Sequence, residues 1–70
     1  MNVTDYKTQQ LADLIAQRRE VEQAREKGKE LAVALKVLDS PYVTTAHEFV
    51  TEQNEKIDKL IAEITILGGE

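Results

Sequence analysis

His47, Ser40 and a row of carboxylates are the side chains of this 70-residue sequence best suited to catalysis. There is one histidine and one serine, so a Ser-His-Asp arrangement would have to use Ser40 and His47. An activated serine needs a base at hydrogen-bond distance and oxyanion donors, usually on a strand-to-helix turn. Ser40 instead precedes Pro41, which reads as a turn or helix cap. His47 is followed by Glu48, but adjacent helical residues do not share a face. Four residues beyond His47 stands Thr51, so no metal-ligand set forms there. The sequence has no cysteine, which removes disulfides, thiolate metal sites and a cysteine nucleophile. Gly68 and Gly69 follow a helical pattern rather than open one, the wrong order for a phosphate cradle. No catalytic residue, cofactor or metal is expected, and the chain reads as a non-enzyme.

Charge is the next feature. The formal net charge is −4, and it is unevenly placed. Residues 1–39 balance seven basic against seven acidic side chains, whereas residues 40–70 carry two against six. A purely electrostatic nucleic-acid binder shows the opposite sign. Glu48, Glu52, Glu55 and Asp58 fall on the outward face of a second helix. Glu52–Lys56 and Glu55–Lys59 have i,i+4 spacing, worth only ~0.2–0.5 kcal/mol each. A solvated face accounts for this strip; the functional alternative is an acidic mimic that inhibits a nucleic-acid-binding protein. Arg18, Arg25 and Lys29, with Arg19 and Lys27, crowd the middle of the first helix. Glu20, Glu22, Glu26 and Glu30 are interleaved with them. In a dimer, Arg18, Arg25 and Lys29 would make the nucleic-acid contact of a second alternative. They lack a neighbouring aromatic ring on which a base could stack.

Two helical patterns must position these residues. They flank Asp39-Ser40-Pro41-Tyr42-Val43-Thr44-Thr45, which holds the only proline. Proline disfavours helix at the preceding residue, so the first helix should span about 5–38, capped by Thr4 or Asp5. The loop covers about 39–45 and the second helix about 45–67. Thr45 with Glu48 offers a capping box; Ser40 with Pro41 at the first helical position is the other start. Gly68-Gly69 offers a left-handed C-cap.

Apolar residues recur at spacings of three and four, the mark of a coiled-coil-like seam. In the first helix the seam is Leu14, Gln17, Val21, Ala24, Gly28, Leu31, Leu35 and Leu38. In the second it is Ala46, Val50, Gln53, Ile57, Leu60, Ile64 and Leu67, widened by Phe49 and Ile61. Run antiparallel, the seams pair Leu38 with Ala46, Leu35 with Val50, Gly28 with Ile57 and Gln17 with Leu67. Small residues then face large ones. A break at Gly28 and a strand at Ile64-Thr65-Ile66-Leu67 are the local alternatives.

The expectation is one all-α domain over residues 1–70, a two-helix antiparallel hairpin. Residues 5 to about 16 would overhang the second helix, and residues 31–38 carry more apolar side chains than one face can bury. A hairpin of this size is marginal alone, so a twofold homodimer forming a four-helix bundle is expected. This architecture, without any shared motif, is similar to that of small RNA-binding helical hairpins of the Rop type. The function expected first is a non-enzymatic protein–protein interaction module: an adaptor, assembly factor or inhibitor. Its contacts would be Tyr6, Leu11, Leu14 and Ile15 on the overhang, with Tyr42 and Val43 at the loop. Tyrosine is enriched at interface hot spots. No apolar run approaches the ~20 residues that span a bilayer. The sequence carries no signal-peptide or lipidation motif, so a cytoplasmic location is expected, and a phage or plasmid accessory gene would suit such a chain.

Overall fold

Helix α1 runs from Val3 to Val37 and α2 from Val43 to Leu67. They lie side by side as an antiparallel hairpin in a computed structural model that describes residues 3–68, with side chains from residue 5. The hairpin measures 55 × 17 × 13 Å. Its long dimension matches 35 residues rising about 1.5 Å each. Gly28 does not break α1, and Ile64-Thr65-Ile66-Leu67 is helical.

The turn is built by local hydrogen bonds. Asp39 takes a left-handed conformation at φ 56°. Its N–H donates to the Lys36 carbonyl at 3.0 Å, and the Ser40 N–H donates to the Leu35 carbonyl at 2.9 Å. This is a Schellman motif with an aspartate where glycine is usual. On the far side, the Tyr42 N–H donates to Ser40 Oγ at 3.2 Å, and the Val43 N–H reaches the Ser40 carbonyl at 3.3 Å. Ser40 thus closes the turn that leads into α2, whose N-cap is Tyr42 without a side-chain capping bond, and Pro41 sits in that turn where its missing donor costs nothing. The capping box expected at Thr45 is not used, because α2 has already begun at Val43. At the other end Thr4 and Asp5 lie inside the first turn of α1 and do not precede it. Asp5 there complements the helix dipole. Gly68 is right-handed at φ −71°, not left-handed, and Gly69 lies outside the described residues. Since an L-residue in the left-handed region is strained, Asp39→Gly is expected to stabilise the hairpin by about 0.5–1 kcal/mol. Thermal melting followed by circular dichroism should show a midpoint several degrees higher; an unchanged or lower midpoint would contradict it.

The core is thin. Ala32, Ala46, Ile57 and Leu60 are the buried apolar side chains, and Gln53 is buried among them. The α2 seam is the one expected, with Ala46, Gln53, Ile57 and Leu60 buried and Val50, Ile64 and Leu67 half-buried. The α1 seam is rotated. Val21, Gly28 and Leu35 face α2 as expected, but Arg18, Arg25 and Ala32 share the seam in place of Gln17 and Leu31. Leu31 is 54% exposed and Leu38 74%.

The register also differs, by about one heptad. Gly28 lies against Phe49 and Val50 rather than Ile57, and Arg25 bonds Asn54. A slide of seven residues leaves the α2 stripe facing the same way, so the pattern alone does not resist it. The earlier turn at Ser40 selects it. The slide brings the end of α2 level with Gln10 and Leu14, which line a shallow groove with Glu63 and Leu67. The overhang therefore shrinks, and Leu11 and Leu14 become half-buried. Longer overlap removes more apolar surface from water, at about 25 cal/mol per Å².

Candidate functional site: the apolar loop end

Of the residues expected to contact a partner, the structure leaves Tyr6, Ile15 and Tyr42 exposed. Leu11, Leu14 and Val43 are half-buried against the hairpin and are poor contact residues. Tyr6 and Tyr42 stand near opposite ends of the molecule, so they do not form one surface.

The concentrated apolar surface is at the loop end. Val33 and Val37 are 65% and 79% exposed, and Leu38 and Tyr42 are 74% and 69%. Leu31 and Phe49 are exposed beside them. Ala24, Leu31, Leu35, Tyr42, Ala46 and Phe49 line an open groove of about 500 Å³ between the helices, with Lys27 at its edge. Gly28 creates part of this shape, because the missing side chain lets the Phe49 ring settle against α1. Reading the sequence as one seam hid Leu31 and Leu38, which it assigned to the core. The signal that marks them is the excess of apolar residues between 31 and 38, more than a single helix face accommodates.

The residues with catalytic chemistry are not brought together into a site. Ser40 Oγ is occupied by the Tyr42 N–H. His47 is exposed, in a shallow surface depression with Thr44, Glu48, Thr51 and Glu52. Its carbonyl accepts the Thr51 hydroxyl at 3.1 Å. Among the described residues no group of three histidine, cysteine or acidic side chains is placed to hold a metal ion.

Arg18, Arg25 and Lys29 are each tied to neighbours. Arg18 Nε meets Glu22 Oε1 at 2.7 Å. Lys29 Nζ lies 3.5 Å from Glu26. Arg25 Nη1 donates to Asn54 Oδ1 at 3.1 Å across the helices. Its Nε is buried without a hydrogen bond, 3.5 Å from Glu26 Oε1. Such pairs add little stability, but they neutralise the strip that would attract phosphates. Glu48, Glu52, Glu55 and Asp58 are exposed along α2 as expected. Among the described residues, neither Glu52–Lys56 nor Glu55–Lys59 closes to ion-pair distance. No helix among the described residues is long and apolar enough to cross a membrane. Comparison with protein-family models, curated proteins and solved structures finds no match to this chain.

Proposed function

We propose that this chain is a non-enzymatic protein–protein interaction module whose loop end docks onto another protein, as an adaptor, assembly factor or inhibitor. The observation that carries the reading is the exposure of Val33, Val37, Leu38 and Tyr42 on one short stretch of a thin hairpin. Contiguous exposed apolar residues rimmed by charge mark interaction surfaces, and tyrosine supplies a rigid anchor there. Lys36 and Asp39 provide the polar rim. The neutralised basic strip gives the nucleic-acid alternative no comparable support.

The test is capture from a lysate of the native host. A discrete, stoichiometric protein should be retained by the unaltered chain and lost with Val37→Asp or Tyr42→Ala. Ile15→Asp, at the other end, should retain it. Both loop-end positions are more than two-thirds exposed, so helicity should be unchanged. Retention by both loop-end variants would move the docking surface elsewhere.

A further inference from the structure

We infer that the groove flanked by Leu31 and Phe49 is covered by a second copy of this chain, loop half against loop half in antiparallel orientation. This deepens the interaction reading and shares part of its surface: Tyr42 lines the groove and Leu38 continues its edge, whereas Val33 and Val37 lie round α1 from it.

The first argument is area. The chain exposes 5501 Å². A compact monomer of 7.9 kDa exposes about 4,400 Å², so roughly 1,100 Å² is in excess. A standard interface buries about 800 Å² on each partner, which fits within that excess. Among the described residues no large side chain is fully buried in the lone hairpin, so its own core is small.

The second argument is the pattern along the flank. Gln10, Gln17, Ala24 and Leu31 are spaced by sevens on α1, with Leu38 next in the turn, and Phe49, Lys56 and Glu63 likewise on α2. Each set therefore runs down one edge of its helix. Near the loop the groove is lined by Leu31, Leu35, Tyr42 and Phe49. Towards the other end the lining is Gln10, Asp13, Leu14, Gln17 and Glu63, mostly polar. The apolar surface of this flank is thus concentrated in its loop half.

Charge then selects the geometry. A parallel pair overlapping along its full length would set Glu63 near its own copy, where like charges oppose association. A fully overlapped antiparallel pair would press Lys56 and Glu63 onto the partner's apolar half and strip them of water. Overlapping the loop halves alone leaves those charges wet and buries mainly apolar surface, with Lys27 and Thr45 as the polar lining of that half. The same patch then serves both copies, as a twofold interface requires. The result is a short four-helix bundle at the centre with two projecting two-helix arms.

Sedimentation equilibrium on the full chain, with single-cysteine variants of this cysteine-free sequence, tests the inference. The unaltered chain should sediment as a dimer. Oxidised Leu31→Cys should link into a covalent dimer, whereas Gln17→Cys, two heptads nearer the termini on the same edge, should not. Leu31→Glu should raise the dissociation constant at least about 100-fold while dilute samples keep the hairpin's helicity. A helical monomer at every concentration would overturn the proposal and leave the loop-end docking reading standing. A dimer that links through Gln17→Cys, or that Leu31→Glu leaves intact, would overturn the geometry. Host-protein capture lost with Val37→Asp while the dimer persists would separate the two faces.

Discussion

Gly28→Leu is expected to pry the two helices apart where the backbone of α1 meets Phe49 and Val50. A Cβ at residue 28 would lie 2.8 Å from Phe49 Cδ2, closer than real contacts come, and 3.0 Å from Val50 Cγ2, tighter than most. Leucine would have to displace both side chains, with free space only on the groove side of Gly28. Overpacking of this kind costs about 1–3 kcal/mol, and the upper end applies because the clash lies directly between α1 and α2. A chain of this size commands only about 3–5 kcal/mol from a single core. The melting midpoint should therefore fall by more than about 10 °C, or the transition should vanish. Gly28→Ala separates the two effects at the site. Alanine gains about 1 kcal/mol of helix propensity over glycine, but its methyl must displace the Phe49 ring. That ring is 40% exposed and free to tilt outward, so the change should come out near neutral. A leucine variant that melts with the unaltered chain would show that the helices do not meet at Gly28.

Ile57→Ala should be the other severe change. Ile57 is 5% exposed at the centre of the α2 seam. Truncation removes its contacts and leaves a cavity that a two-helix layer can close only by bending, a loss of about 2–4 kcal/mol. Ile66→Ala is the matched control, the same substitution at a site 77% exposed on the same helix. It should stay within about 0.5 kcal/mol of the unaltered chain. Melting curves of both variants at one concentration give the comparison. Equal destabilisation by the two would mean that the seam of α2 faces elsewhere.

These two sites show how differently the helices could be read. The α2 stripe was legible in full, since Ala46, Val50, Gln53, Ile57, Leu60, Ile64 and Leu67 lie on one face with charge on the other. For α1 the pattern fails near the loop, where residues 31–35 read Leu-Ala-Val-Ala-Leu and no period is preferred. Leu31 and Ala32 are both apolar, and hydropathy favours the larger for the core. Packing chose Ala32, which is 6% exposed, because small residues let the backbones approach. The candidate surface shared this fate. Tyr42 was recognisable as a loop residue, but Leu31 and Leu38 become surface only once the rotation of α1 is known.

Two antiparallel helices, the turn around Ser40 and Pro41, the continuous α1 and the acidic outer face of α2 were determined by the sequence itself. Each follows from local chemistry: apolar spacing, a missing backbone donor, a serine–proline turn signal. The tertiary structure alone decided the register and the rotation of α1. A heptad repeat is nearly unchanged by a slide of seven residues, so the competing registers present the same stripe. They differ in the length of overlap, the tightness of the turn and the fit of Phe49 against Gly28. Those are properties of two helices in contact, and no segment carries them alone.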